Sequence, residues 1–446
     1  MTDSLTQRVA SLIVHAQPDE AACLRARQGL VDYLACTFPV LTRALPDPDL
    51  DTVRQQFPPT HAAYRALLLG YGSHALDYDD FHADLRGHPS AVILSTLFAL
   101  LGTTSNVVTS SAFLAAYVTG VEMAARLGLA AGRQHYVIGF HTTATLGGVA
   151  ATAAAARLLE LSVAQTQVAL GLAATQAAGL RRQMGSSTKP LHVGWAARAA
   201  TDAVQLAAAG FDGQKEGVIE SLLLSHGGSV EWLAQLTSDW GSPWRIVSPG
   251  LEFKRYPTCS GTHSAADAAL RLRKQLLAEG LAPTDFESAI ASISVRFPVG
   301  GDTAPAITGP VHGIEARFSL EYVIADALLT GALPLSHYTA APVIPAIALL
   351  AKRVVRQPDA SVPPDADNPD LRFHHVQLRL YSGRAFDVCV RRAESRTWQA
   401  DPLQKLYEAL SRQKVLDVSA AVADAELTSS EALQRWTKRL MAALEC

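Results

Sequence analysis

AIASISVRF, residues 289–297, is the stretch where the chain stops reading as helix. Ile293, Val295 and Phe297 alternate with polar or basic residues, the two-residue period of a strand with one apolar face. Upstream, apolar residues recur at three- and four-residue spacing in residues 5–14, 21–38, 62–69, 91–100, 110–127, 143–159, 163–179 and 192–209. Several of these runs are apolar on more than one face, as helices buried in a bundle are. Gly128, Gly210 and Gly213 stand where helices are expected to end. Around the strand the pattern is mixed. Residues 264–279 form a helix leading into it, and 317–329 and part of 344–356 read as helical. PDASVPPDADNPD, 358–370, is a loop, and 372–380 and 384–391 alternate around Ser382-Gly383 as a hairpin does. Residues 401–446 return to helix, with Leu403, Leu406, Tyr407, Leu410, Leu433, Leu440 and Leu444. The expected architecture is mainly α: an all-helical domain over 1–264, an α+β domain over 265–400, and C-terminal helices over 401–446 that rejoin the first domain.

With 446 residues, 49% apolar and 18% charged, the chain is long enough for a sizeable core and too poor in charge to be disordered. Thirty-eight basic residues against 41 acidic ones provide no general field for nucleic acid, but leave room for a local basic pocket. Cys23, Cys36, Cys259, Cys389 and Cys446 are odd in number and lack a CxxC pair. They suggest reduced thiols in a cytoplasmic protein, not disulfides or a zinc site. The opening MTDSLTQRVASLIVHAQ has no apolar run of export-signal length. Residues 89–121 contain no Asp, Glu, Lys or Arg, but GTTSN and TSS interrupt them, so two buried helical pieces are expected and no membrane span. GxGxxG, P-loop and GxSxG motifs are absent from the sequence.

Four polar clusters break the apolar background. In HALDYDDFHADLRGHPS, 74–90, the acids are either helix caps on a solvated loop or the lip of a site. In the second case Asp77 or Asp80 orients an imidazole and His88 moves a proton. Carboxylates and histidines occur together here without regular ligand spacing, so no metal is expected. In GRQHYVIGFHTTATLGG, 132–148, His141 precedes a small-residue helix, where free backbone donors favour an anion and a neutral imidazole. Ordinary capping by Thr142 or Thr143 is the competing reading. RRQMGSSTKPLHVGWAA, 181–197, is the strongest signal: Pro190 starts a helix well, Lys189 just before it binds a carboxylate or removes a proton, and His192 packs or orients a neighbour. In FKRYPTCSGTHSAADAAL, 253–270, Cys259 and His263 are four apart with no third partner, which leaves His263 as the better acid/base or anion-binding candidate. Histidine, lysine and arginine without a metal or dinucleotide motif suit proton transfer beside a carboxylate, as in dehydration, decarboxylation or epimerisation.

In combination these motifs resemble the MmgE/PrpD superfamily, whose activities include 2-methylcitrate dehydration, cis-aconitate decarboxylation and iminodisuccinate epimerisation. The resemblance rests on Asp77-Tyr78-Asp79-Asp80 with His88-Pro89-Ser90, on Gly139-Phe140-His141, and on Thr188-Lys189-Pro190-Leu191-His192 with Gly194. It extends to Lys254 with Tyr256-Pro257 and Thr262-His263, and to Glu315-Ala316-Arg317-Phe318-Ser319. It implies a large all-helical domain with an inserted smaller α+β lid, a site in the cleft between them, and a homodimer needing no metal or organic cofactor. Asp77, His88, His141, Lys189 and His263 would line that site. The dehydratases and decarboxylases usually have Thr where this chain has Phe81, and the Asp77–His88 spacing is one residue longer than in the decarboxylase-like pattern. GGDTAPAITGP, 300–310, offers no counterpart of the lid tyrosine. These departures fit the epimerase branch, so the expected activity is inversion of the α-carbon of iminodisuccinate. A 2-methylcitrate dehydratase-like hydro-lyase is the alternative. Lys189 and His141 are the expected proton-transfer pair, with Tyr78, Tyr136 or His88 as replacements. Arg181, Arg182 and His263 would hold the carboxylates of a small polycarboxylate, with Asp77 and His192 beside it.

Overall fold

The computed structural model describes residues 4–102, 107–368, 371–413 and 417–446. Two hydrophobic cores organise it. The first collects apolar residues from the helices between Leu5 and Ser225 together with Leu406, Leu410, Leu433, Trp436 and Leu440 of the C-terminal helices. Trp436 is fully buried and meets Phe38 edge-on at 5.6 Å. Lys405, on the helix Pro402–Ser411, places its ammonium 2.7 Å from Asp32 on Glu20–Leu41. The second core lies between a four-stranded sheet and the helices His263–Ala278 and Leu320–Thr330. The fold is therefore a predominantly helical body with a smaller α+β insertion, as expected.

Strand order across that sheet is Val354–Asp359, Ile290–Pro298, Phe373–Leu380, Ala385–Arg391. The first pair is parallel and the other two are antiparallel. Ile293, Val295 and Phe297 all turn inward and are buried, which is the alternation read from the sequence. The strand Val354–Asp359 falls where helix was partly expected. The helix Pro345–Ala351 ends just before it, and of this edge strand only Val354 is buried, so no alternation was there to read. The helix Pro48–Gln56 was not anticipated either, for a similar reason: only Leu50 is buried.

Gly128 does not end a helix. The helix Ser110–Val137 runs through it and bends at Gly132, where φ is 65°. A Cβ on Gly128 would lie 2.3 Å from the Asp84 carbonyl oxygen, so glycine lets this helix touch the backbone of the first polar cluster. Gly128→Ala is expected to cost about 1–3 kcal/mol, the usual penalty for overpacking a tight contact. Urea unfolding checks it, and an unchanged midpoint would contradict the close approach. Ser110–Val137 is long and apolar enough to cross a membrane by length and composition, but 83% of its most apolar window is buried inside the protein. It also carries the buried Glu122–Arg126 ion pair, 2.8 Å. The helix Thr188–Ala208 begins earlier than expected, which puts Lys189 in its first turn.

Candidate active site

Three helix starts converge. His88 is the N-cap of Pro89–Leu101 and His141 the N-cap of Thr142–Leu158, and neither side chain makes a capping bond, so both rings are free for other work. Lys189 projects from the first turn of Thr188–Ala208, which crosses Ala62–His74 at very short range. A Cβ on Gly194 would sit 2.5 Å from the Leu67 carbonyl oxygen. That approach brings Lys189 to the loop that follows His74. There Asp77, with φ 50°, turns its carboxylate back toward the lysine.

Lys189 Nζ lies 2.7 Å from Asp77 Oδ1, and Lys254 Nζ lies 3.2 Å from the same oxygen and 2.8 Å from the Asp77 carbonyl. Burial by itself would raise the Asp77 carboxyl, but the two ammonium groups hold it well below the usual carboxylate range. Asp79 Oδ2 is 2.8 Å from His74 Nδ1 and 3.4 Å from His88 Nδ1. His88 Nδ1 is also 2.6 Å from the Asp80 carbonyl, to which it donates, leaving Nε2 as the unprotonated nitrogen. Burial lowers His88 to about 3, and burial lowers His74 and His141 well below the ordinary imidazole value, so these rings are neutral. His74 Nε2, Asp77 Oδ2 and His141 Nε2 are sealed from solvent without a protein partner. Ligand atoms of His74, Asp77 and His88 lie within 4.8 Å of one another, the spacing of a three-donor metal site. Two ammonium groups already sit on Asp77, and their repulsion of a cation makes this donor set a poor fit for a divalent ion.

Of these groups, Asp77, His88, His141, Lys189 and Lys254 line a cavity of about 510 Å³. Phe81, Phe318 and Cys259 are walls, and Arg86, Arg133, Arg181, Arg372 and Arg392 with Tyr136 complete the lining. Among the described residues, seven lysines and arginines line it with three aspartates (Asp77, Asp84 and Asp365), an excess of four positive charges in a chain whose formal net charge is -3. Arg181 stacks on Tyr136 at 4.2 Å and donates to its carbonyl at 2.8 Å. Arg372 pairs with Asp365, and Arg133 donates to the Asp365 carbonyl at 2.9 Å. Arg317 closes the seam between the two cores: it donates to the Tyr338 carbonyl at 2.8 Å within the α+β part and to the Ala75 carbonyl in the helical part.

Of the residues proposed from sequence, Asp77, His88, Tyr136, His141, Arg181 and Lys189 line the cavity, and four do not. Tyr78 faces away from its neighbour Asp77, its hydroxyl donating to the Arg255 carbonyl at 3.3 Å and its ring covered by Lys405 at 3.6 Å. Arg182 is exposed, because the single 3₁₀ turn Arg181–Gln183 sends successive side chains in different directions. His192 stands behind His141, with the two Nδ1 atoms 3.3 Å apart. His263 faces a small adjoining recess, its Nε2 3.3 Å from the Thr258 carbonyl. Lys254 lay within a recognised motif and Arg86 within the first cluster, but neither was given a role. Arg372 and Arg392 were missed. They bracket the hairpin and meet because Arg392 N–H donates to the Arg372 carbonyl at 2.7 Å, a proximity that no local motif carries.

Comparison with known proteins bears directly on this geometry. The MmgE/PrpD N-terminal domain matches residues 3–222, and the MmgE/PrpD C-terminal domain matches residues 256–431. The chain belongs to the MmgE/PrpD family. Human (Homo sapiens) cis-aconitate decarboxylase is 32% identical over 294 residues, covering 64% of this chain and 58% of that protein. The Mus musculus enzyme is 29% identical over 343 residues, covering 74% and 67%. A cis-aconitate decarboxylase of Aspergillus terreus (strain NIH 2624 / FGSC A1156) is 28% identical over 218 residues, covering 45% and 43%. The chain thus spans 58% of the length of its human relative.

These relatives overturn the expected isomerase. The kinship within the MmgE/PrpD family runs to cis-aconitate decarboxylases and a cis-aconitate decarboxylase-like protein, not to an epimerase of iminodisuccinate. The structure shows why the two departures near Asp77 misled. Phe81 is a cavity wall that meets the His88 ring edge-on at 5.8 Å. The longer spacing is absorbed in a tight turn, where His82 N–H donates to the Gly87 carbonyl at 2.8 Å and Arg86 takes a φ of 55°. Asp77 and His88 still face the same cavity, so both changes leave this part of the site assembled.

Proposed function

We propose that this MmgE/PrpD protein is a lyase that decarboxylates a small unsaturated tricarboxylate of the cis-aconitate kind. The observation that carries the reading is the cavity itself, with its excess of four positive charges and neutral buried imidazoles beside the Asp77–Lys189–Lys254 cluster. A tricarboxylate brings three negative charges, which the excess of four cations can neutralise. Breaking the C–C bond releases CO2 and leaves an electron pair on carbon, delocalised into the neighbouring double bond and carboxylate. In this reading Lys189 and Lys254, which line the cavity, stabilise that charge, and His141 Nε2–H gives one proton to carbon, leaving a dicarboxylate. Asp77 holds both ammonium groups in place. Dehydration of a hydroxy-tricarboxylate such as 2-methylcitrate would use the same cations with an acid at the leaving hydroxyl. Proton NMR of the purified protein with cis-aconitate and, in parallel, 2-methylcitrate separates the two. New methylene signals from cis-aconitate with release of CO2 are expected. Olefinic product from 2-methylcitrate alone would replace decarboxylation by dehydration, and silence in both tubes would remove the lyase reading.

A further inference from the structure

We infer that His192 acts through His141 as a positioning and proton-relay residue, connecting the cavity with solvent by a route that avoids the cavity mouth. The inference deepens the proposed lyase reading, since it assigns the source of the proton which that reaction consumes. His141 lines the cavity, and its Nε2 has no protein partner. Its Nδ1 is 3.3 Å from His192 Nδ1, so the two rings share one hydrogen, one donating and the other accepting. His192 does not line the cavity. Its Nε2 also lacks a protein partner but, unlike that of His141, is not sealed from solvent. Three residues further along the same helix, Trp195 is 46% exposed, with its ring 6.5 Å from that of His192. The pair therefore spans from cavity to surface with one internal hydrogen bond. A simple orienting role would need only the internal bond and would not need His192 Nε2 to reach solvent.

The proton balance is direct. As the substrate carbon takes the proton of His141 Nε2–H, the Nδ1–H of His192 passes to His141 Nδ1 and a solvent proton binds His192 Nε2. Each ring stays neutral and one proton has crossed from solvent to carbon. When product leaves and water enters the cavity, the three transfers run in reverse and restore the starting tautomers: cavity water protonates His141 Nε2 and His192 Nε2–H returns its proton to solvent, so the proton drawn from solvent while substrate fills the cavity is replaced from water once the cavity is open. The charged neighbour common to both rings is Lys189, with His74 stacked on His141 at 5.7 Å.

His192→Asn tests the relay. Asparagine keeps a polar atom near the Nδ1 position and can hold His141, but it cannot pass a proton through. A relay predicts a fall in kcat of at least about tenfold with KM within about twofold, and partial recovery on adding imidazole. A kcat within about twofold of wild type would overturn the relay, as would a fall that imidazole does not relieve. If wild-type protein leaves cis-aconitate untouched, the lyase reading fails on its own account. The relay is then judged by NMR of ¹⁵N-histidine-labelled wild-type protein. A nitrogen–nitrogen coupling across the His141–His192 hydrogen bond, with a shared hydrogen that exchanges rapidly with solvent, supports it, and absence of either overturns it.

Discussion

Asp77→Asn is expected to abolish turnover and to destabilise the fold by roughly 3–5 kcal/mol, the loss typical when one partner of a buried ion pair is removed. Asp77 is 3% exposed and receives both Lys189 and Lys254 on one oxygen. With an amide in its place, two ammonium groups face each other in a dry site with no counter-charge. Lys189→Met separates catalysis from stability. It removes one ammonium and leaves Asp77 paired with Lys254, so the unfolding midpoint should move much less. The charge on the substrate carbon then loses one of its two cationic neighbours, and kcat should drop about 10²–10³-fold, the scale for deleting one preorganised donor. Steady-state kinetics and urea unfolding on the same preparations check both statements. A Lys189→Met enzyme with kcat within tenfold of wild type would mean that Lys189 holds the loop and takes no part in stabilising charge.

What could be read from the sequence follows from how local each signal is. The strand at 289–297 and the hairpin after residue 372 announce themselves because each alternates along its own length, and the second core depends on that period. His88, His141 and Lys189 were legible because each lies beside the start of a small-residue or apolar helix, a position whose chemistry is fixed by the helix end itself. The opposite holds for Arg372 and Arg392, which share a cavity only through the register of a hairpin, and for Arg133, which reaches it from the bent end of a long helix. Gly128 read as a terminator because contact with a distant backbone leaves no trace in the neighbouring residues. Phe81 carried the opposite error: its identity was visible, its place as a wall beside His88 was not, and so a change of cavity lining was taken for a change of reaction.

The protein is expected to take up protons on unfolding below neutral pH, and His374 provides the cleanest place to measure it. Burial lowers His88 and His374 to about 3 and His135 to about 4, against an ordinary imidazole value near 6.5. A group whose folded value is depressed stays neutral in the native state while the unfolded chain binds a proton. Its contribution is therefore intact above about pH 6.5 and shrinks as the pH falls toward the folded value. Between pH 7.5 and 5.5 each such histidine should remove ~1.4 kcal/mol, and the three together ~4 kcal/mol, a large part of an ordinary domain's stability. Asp80 works against them: burial raises its carboxyl well above the usual range, so the folded state gains a proton on acidification. A difference measurement removes that opposing contribution. His374 is buried against the α+β core, 2.7 Å from Ser264 Oγ and against the Phe297 ring, and does not line the cavity. His374→Asn should lower stability at pH 7.5 but lose ~1.4 kcal/mol less than wild type between pH 7.5 and 5.5. Parallel slopes for the two proteins in urea unfolding would show that His374 is as readily protonated in the folded protein as in the unfolded chain, against the burial of its ring.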